Sequence, residues 1–134
     1  MLEKYSTTAP STFDKTTIIN ETDRLVEKLR ELQSVMYAEN KNSMLVILQG
    51  MDASGKDSTV KHVFGKINPM GVRVKPFKKP TPEEYAYDFI RRVHKHTPPT
   101  GMIHIFNRSH YEDILVPEVH NLYSADKKNA DMIM

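Results

Sequence analysis

The chain has 134 residues, 39% of them hydrophobic, which suits one soluble globular domain and argues against a largely disordered chain. Its 19 basic and 17 acidic residues leave a net charge of +2, so affinity for anions must come from local clustering rather than a general nucleic-acid coat. Cysteine is absent, which removes disulfides and thiolate metal sites, and no apolar leader or run of about 18 apolar residues occurs. We therefore expect a cytoplasmic protein with no nucleic-acid or membrane partner.

The N-terminal residues 1–19 are rich in serine and threonine, a composition that predicts a mobile arm. The remainder, residues 20–134, is expected to form one domain. It opens with an amphipathic helix that should begin at Asn20 as the N-cap and end within the segment AENKNS. Apolar residues at helical spacing should form its buried face: Leu25, Leu29, Leu32 and Met36.

A short apolar run, MLVILQ at residues 44–49, predicts a strand that is buried on both faces of a parallel sheet. A glycine-containing loop follows, and then a second helix that the segment NPMG should close. The helical spacing is carried by Val60, Val63, Phe64 and Ile67. Strand, loop and helix in this order are the context that a phosphate-binding loop requires.

The segment VRVKPF at residues 72–77 predicts a second strand. The segment TPEEYAYDFIRRVHKH should form a single helix, with Thr81 as N-cap, Pro82 at the first position and Glu84 closing a capping box. Its expected buried face consists of Ala86, Phe89, Ile90 and Val93. The run MIHIF at residues 102–106 predicts a third strand, which leads into the polar segment NRSHYED. The resulting βαβαβ order predicts an α/β fold with a parallel sheet and ligands at the carboxyl ends of its strands.

The loop QGMDASGKD carries Gly50, Gly55 and Lys56 at the spacing of a phosphate-binding loop. The glycines let backbone N–H groups turn toward an oxyanion, the helix N-terminus adds partial positive charge, and Lys56 adds a full one. Asp52 lies inside the loop, where a carboxylate would repel phosphate unless a divalent cation lies between them. From the loop alone, Asp52 either orients a metal or an acceptor or caps its own turn. Asp57 stands where such loops usually carry serine or threonine, and we interpret it as a first-turn acid of the helix.

Three segments resemble the family-2 polyphosphate kinases, P-loop enzymes with a fold like thymidylate kinase: residues 37–63, 68–84 and 104–120. The pair GMDASGKD and FNRSHYED carries the resemblance most specifically. It implies a P-loop kinase domain of three αβα layers over residues 20–134, with only the N-terminal βαβαβ part present because the chain stops before the lid. It also implies reversible phosphoryl transfer from inorganic polyphosphate to the adenine nucleotides AMP and ADP, with Mg²⁺ or alternatively Mn²⁺ as cofactor.

The resemblance assigns roles to residues by their position. The catalytic set it implies is Asp52, Lys56, Arg108 and Asp113, in which the two aspartates also hold the metal ion. Asn107 and Arg108 belong to the second motif, which follows the third strand and reads DRSWYNR in some family members. Because Asn107 is a weaker metal ligand than aspartate, Asp113 is expected to provide the charge, and the NRSHYED form resembles the subgroup that acts on both AMP and ADP. The implied phosphate-binding residues are Gly50, Met51, Ala53, Ser54, Gly55, Asp57, Ser58, Lys78 and Asn107.

Three lysines at the end of the second predicted strand can be interpreted in two ways. Lys75, Lys78 and Lys79 either extend a track of cations for polyphosphate or form a solvated strand end, and Lys78 fits the family pattern best. Arg91 and Arg92 are sufficiently explained by the dipole at a helix C-terminus.

His110 and Tyr111 either stack on adenine or pack locally, and the spacing of the six histidines does not predict a metal site. Two alternatives to the polyphosphate-dependent transferase remain, an ATP-dependent small-molecule or nucleotide kinase and a non-catalytic phosphate-binding fragment. We expect the protein to be a homo-oligomer.

Overall fold

The computed structural model describes Thr8 and residues 10–112, so Asp113 and the segment after it lie outside the described residues. The helices and strands in chain order are α1 Lys15–Glu39, β1 Met44–Leu48, α2 Lys56–Val63, β2 Val72–Pro76, α3 Pro82–Tyr85, α4 Phe89–His94 and β3 Ile103–Asn107. Two 3₁₀ turns, Phe64–Lys66 and Pro69–Gly71, join α2 to β2. Within the described part of the chain, no helix combines the length and the apolar character that a membrane crossing would need.

The three strands form one parallel sheet in the order β1–β3–β2, which confirms the predicted α/β class. Val46 of β1 and Val74 of β2 both pair with Ile105 of β3, so the three strands are level with one another. The central strand β3 is buried from Ile103 to Phe106, as expected for a strand with a neighbour on each side. The carboxyl ends of all three strands therefore meet at one edge of the sheet.

The main hydrophobic core lies on one face of the sheet, where Ile103 and Ile105 of β3 pack with Ile67. Side chains of α1, α2 and the following turn complete this cluster, among them Leu29, Met36, Val60 and Phe64. On the opposite face, Phe106 meets Phe77 edge to face, with their ring centroids 4.8 Å apart. Both faces of β3 are thus covered by apolar side chains, which fixes the strand that leads into the NRSHYED segment.

Helix α1 begins at Lys15, so the predicted mobile arm is too long and the predicted N-cap Asn20 is wrong. The N-cap is Asp14, whose carboxylate accepts a hydrogen bond of 2.8 Å from the backbone N–H of Thr17. Asn20 lies inside the helix, which continues to a left-handed Asn40 with φ of 51°. A satisfied aspartate cap six residues earlier explains the longer helix, because it supplies a partner for an otherwise unpaired first-turn N–H.

The buried face of α1 is only partly the predicted one. Val26 and Gln33 are buried, whereas Leu25 and Leu32 are 50% and 58% exposed. Leu29 and Met36 do pack against the core, as predicted. The face of α1 that contacts the core therefore consists of Val26, Leu29, Gln33 and Met36. Val26 and Gln33 stand where Leu25 and Leu32 were expected, each one position further along the helix. A polar residue enters this face because Gln33 packs on Gly71, which has no side chain.

Strand β1 is partly buried on one face and exposed on the other, so the prediction of burial on both faces is wrong. Val46 and Leu48 pack against the core cluster, whereas Leu45 and Ile47 point to the other face and Ile47 is 43% exposed. In the described sheet β1 is an edge strand, whereas β3 has a neighbouring strand on each side.

The single helix predicted after the second strand is two short helices, α3 and α4. The capping box of Thr81 and Glu84 is present, with Pro82 at the first position, as predicted. Asp88 then interrupts the helix, because its carboxylate accepts a 2.7 Å hydrogen bond from the N–H of Ile90 and starts α4 as a new N-cap. The predicted buried face changes accordingly: Phe89 and Val93 are half-buried, Ala86 and Ile90 are exposed, and Arg92 is buried.

Candidate phosphate-binding site at the sheet edge

The loop between β1 and α2 requires its glycines for two different reasons. Gly55 has φ of 86° and is the N-cap of α2, a left-handed conformation that side chains rarely adopt. At Gly50 a Cβ would lie 2.7 Å from the Ser54 hydroxyl, so a side chain there would require that hydroxyl to move. The strand, loop and helix therefore come together as the glycine spacing predicted, with backbone N–H groups at the start of α2.

Lys56 is the first residue of α2, and its ammonium group lies over the loop. Nζ donates hydrogen bonds of 2.7 Å to the carbonyl of Gly50 and 2.6 Å to the carbonyl of Met51. It also lies 3.2 Å from the hydroxyl of Ser54. The lysine thereby places a full positive charge at the mouth of the loop, beside the N-terminus of the helix.

Arg108 connects the end of β3 to the acid inside the loop. Its backbone has φ of 68° and its N–H donates to the carbonyl of Leu48, which draws the two strand ends together. Its guanidinium donates to Asp52, 56 residues earlier, and at 3.2 Å to Glu112. The hydrogen bond with Asp52 raises the pKa of Arg108 further above its ordinary value, and the charge of Glu112 adds to this effect. Asp52 thus contacts a cation from another strand.

Asn107 and Asp57 form a second link between β3 and the loop helix. The side-chain amide of Asn107 donates to the carboxylate of Asp57. Asp57 stands in the first turn of α2, as predicted for an acid that the helix dipole stabilises, but it also has this partner from β3. The two motifs of the sequence are therefore joined twice, at Asp52 with Arg108 and at Asp57 with Asn107.

A cavity of about 400 Å³ opens between the loop, the end of β2 and the end of β3. Its lining is Asp52, Ala53, Ser54, Gly55, Lys56, Asp57, Ser58, Pro76, Phe77, Lys78, Asn107 and Arg108. Most of the residues expected at the site meet here. Gly50 and Met51 are not part of the wall, and Met51 is 84% exposed, while Asp113 lies outside the described residues.

Two residues of the cavity wall were not anticipated from the sequence, Pro76 and Phe77. A signal for them existed, since Pro76 is level with Asn107 in the sheet and strand ends meet at one edge. Of the three lysines Lys75, Lys78 and Lys79, only Lys78 lines the cavity; Lys75 lies within β2, with its Nζ 6.0 Å from the centre of the Phe77 ring.

His110 and Tyr111 stack on each other with ring centroids 4.5 Å apart, and His110 also lies 6.0 Å from Phe89. Neither residue lines the cavity, so in this structure their contacts are local packing. The backbone carbonyl of His96 contacts the sheet, because it lies 2.6 Å from Nδ1 of the buried His104. Burial lowers the pKa of the His96 side chain.

The oxygen atoms around the cavity suit a hard divalent cation. Asp52 and Asp57 contribute carboxylates and Asn107 contributes an amide. Among the residues that the structure describes, no three or more His, Cys, Asp or Glu side chains come together. A divalent cation of this kind is usually held by one or two carboxylates together with phosphate oxygens, so this donor set fits a hard divalent cation.

A parallel sheet whose first strand runs through a glycine–lysine loop into a helix defines an α/β protein of the P-loop class. The sequence matches the family described as Polyphosphate kinase 2 (PPK2) over residues 12–133. The chain belongs to the polyphosphate kinase 2 family.

Similar proteins agree with this membership. The chain is 52% identical over 98 residues to an AMP/ADP-polyphosphate phosphotransferase of Meiothermus ruber, covering 73% of this chain and 37% of that protein. It is 45% identical over 95 residues to an ADP-polyphosphate phosphotransferase of Rhodopseudomonas palustris, covering 71% of this chain and 33% of that one. The crystal structure of polyphosphate kinase 2 from Arthrobacter aurescens TC1 superposes with a TM-score of 0.84 at 37% identity, over 95% of this chain and 47% of that chain. The chain therefore spans between a third and a half of the length of these relatives.

Proposed function

We propose that the chain carries the phosphate-handling part of an enzyme that transfers phosphoryl groups between inorganic polyphosphate and the adenine nucleotides AMP and ADP. The observation that carries this proposal is the meeting of Lys56 and Arg108 at one cavity, from opposite motifs of the sequence. The names of the Meiothermus and Rhodopseudomonas relatives support the choice of substrates.

Phosphoryl transfer requires that donor and acceptor oxygens lie in line and that positive charge surrounds the group in flight. In this proposal the loop amides and Lys56 bind the donor phosphates, and Arg108 neutralises charge on the transferred group. A fixed cationic contact of this kind typically contributes about 10² to 10³ in rate, or about 2.7 to 4 kcal/mol. Lys78 on the opposite wall adds a further cation for a longer phosphate chain.

The acid inside the loop is compatible with a polyanion because it is paired. Asp52 forms an ion pair with Arg108, and the positive charge of the arginine reduces the repulsion between the Asp52 carboxylate and phosphate. Kinases of this family generally need a divalent metal ion. We propose Mg²⁺, held by Asp52 with Asp113, where it would neutralise charge between the carboxylates and the phosphate oxygens. Asp52 would also orient the attacking phosphate oxygen of the nucleotide.

Donor specificity tests the proposal directly. The protein is incubated with polyphosphate, Mg²⁺ and either AMP or ADP in the absence of ATP, and new ADP or ATP is measured by chromatography. We expect product from polyphosphate, and a loss of about 10² to 10³ in rate for Lys56→Ala. Phosphorylation of another acceptor that requires ATP and ignores polyphosphate would replace this proposal with the ATP-dependent kinase.

A further inference from the structure

An ion pair between a buried arginine and a half-buried glutamate lies behind the wall of the phosphate cavity. Arg92 of α4 is 6% exposed, and its Nε lies 3.6 Å from a carboxylate oxygen of Glu84, whose side chain is 26% exposed. A buried arginine is costly unless a partner compensates its charge. The dipole at the end of α4 alone does not require the side chain to be buried, so the contacts of Arg92 with other elements need their own explanation.

Arg92 and Glu84 together hold both ends of the turn that follows β2. Nη2 of Arg92 donates a 2.7 Å hydrogen bond to the carbonyl of Lys78, at the start of the turn. The carboxylate of Glu84 accepts a 2.9 Å hydrogen bond from the N–H of Thr81, at its end. The ion pair thus closes a loop of contacts around residues 78–81.

Arg92 also supports the residue before the turn. Its guanidinium carbon lies 5.2 Å from the centre of the Phe77 ring. Phe77 is 2% exposed, and its N–H donates to the carbonyl of Asn107. Phe77 and Lys78 both line the phosphate cavity. The guanidinium of Arg92 therefore contacts two consecutive residues of the wall, the ring of Phe77 and the backbone carbonyl of Lys78.

We propose that Arg92, with Glu84 as its partner, is a positioning residue that fixes Lys78 in the wall of the cavity that Lys56 and Arg108 also line. This inference rests on the proposed function, because the ligand that Lys78 meets is a segment of inorganic polyphosphate. A polyanion binds more tightly to cations that are already held at fixed positions, because their side chains lose less conformational entropy on binding. Arg92 never contacts the phosphate; it acts through the backbone of the turn.

The test combines a structural readout with a binding readout. Arg92→Met removes the hydrogen bond and the ion pair, and Arg92→Lys keeps the charge while losing the planar fork that spans two partners. Arg91→Met is the matched control, because Arg91 is on the same helix with equal charge but is exposed, with its guanidinium carbon 3.4 Å from the centre of the Tyr87 ring. Hydrogen exchange measures protection of the backbone amides of Lys78, Lys79 and Thr81, and calorimetry measures the affinity for inorganic polyphosphate.

We expect Arg92→Met to deprotect the Thr81 amide and to weaken polyphosphate binding by about tenfold, the cost of one charged contact. Arg92→Lys should show a smaller change in the same direction, and Arg91→Met should change neither readout. In a Lys78→Met background, Arg92→Met should weaken binding by less than about twofold more, because its effect passes through Lys78.

Two results would overturn the inference. Unchanged exchange of the turn in both Arg92 variants would remove the positioning role, and so would an additive loss of affinity in the Lys78→Met background. If Arg92→Met does not fold, Arg92→Lys carries the same two tests. Failure of the unsubstituted chain to bind polyphosphate would instead refute the proposed function, and with it the ligand assigned to Lys78, while hydrogen exchange would still report on the turn.

Discussion

Gly71 has less room for an added Cβ than any other glycine of the chain. We predict that Gly71→Ala destabilises the fold strongly. A Cβ at this position would lie 2.0 Å from Nε2 of Gln33 and 3.1 Å from the ring of Tyr37. Gln33 is 1% exposed, so its amide has little free volume into which to move. The substitution must therefore push α1 away from the start of β2.

Overpacking of a well-packed interior typically costs about 1 to 3 kcal/mol. In a domain of this size about 1 kcal/mol lowers Tm by about 3 to 5 °C, so we expect a drop of about 3 to 15 °C. Gly65→Ala is the matched control, because its nearest neighbour would be the carbonyl oxygen of Val60 at 3.9 Å. That variant should remain within about 0.5 kcal/mol of the unsubstituted protein.

Urea and thermal unfolding followed by circular dichroism measure these changes. Adding Gln33→Ala to Gly71→Ala removes the amide that the new methyl group would meet. The double variant should then be at least about 1 kcal/mol more stable than the sum of the two single effects predicts. Equal stability of Gly71→Ala and Gly65→Ala, or simple additivity in the double variant, would refute this account of the packing.

Three further predictions concern polar groups. Gln33→Met should raise stability by about 1 kcal/mol in urea unfolding, because the buried amide atoms of Gln33 have no hydrogen-bond partner among the described residues. Asn107→Asp should weaken polyphosphate binding about tenfold without Mg²⁺, and Mg²⁺ should restore most of the affinity, because the new carboxylate would face Asp57. The hydrogen bond from the Thr81 backbone lowers the pKa of Glu84 from 4.5, so the stability that Glu84 contributes is present above pH 4.5 and is lost as the pH falls below it. Glu84→Gln should therefore flatten the fall in urea midpoint between about pH 5.5 and pH 3.5.

Each of these has a contrary outcome. An unchanged or lower urea midpoint for Gln33→Met would show that the amide is satisfied in solution. If Asn107→Ala weakened binding and responded to Mg²⁺ as strongly as Asn107→Asp, the added charge would not be the cause. An unchanged pH slope in Glu84→Gln would assign the acid sensitivity to other carboxylates.

The phosphate loop and the parallel sheet were predictable because their signals are local. Gly50, Gly55 and Lys56 stand within seven positions of one another, and short apolar runs mark the strands on either side. The meeting of the two motifs at one edge also followed, since parallel strands end together. Of the cavity wall, only the contribution of Pro76 and Phe77 was missed.

The remaining differences arise where tertiary contacts decide between local options. Asp14 and Asp88 are caps that compete with the predicted helix boundaries, and a sequence pattern does not show which cap is used. The pairing of Asp52 with Arg108 joins residues 56 apart, so neither its existence nor its effect on the loop acid has a local signal. Gln33 replaces an expected leucine because of Gly71, a neighbour far away in sequence.

The central claim is that the loop ammonium of Lys56 receives polyphosphate in the cavity at the sheet edge. The most direct measurement is the dissociation constant for inorganic polyphosphate of Lys56→Ala beside Lys61→Ala, an equal loss of charge on the exposed part of the same helix. We predict at least about a tenfold weaker constant for Lys56→Ala and less than about a twofold change for Lys61→Ala. Equal constants for the two variants would mean that polyphosphate binds elsewhere, which would contradict the account.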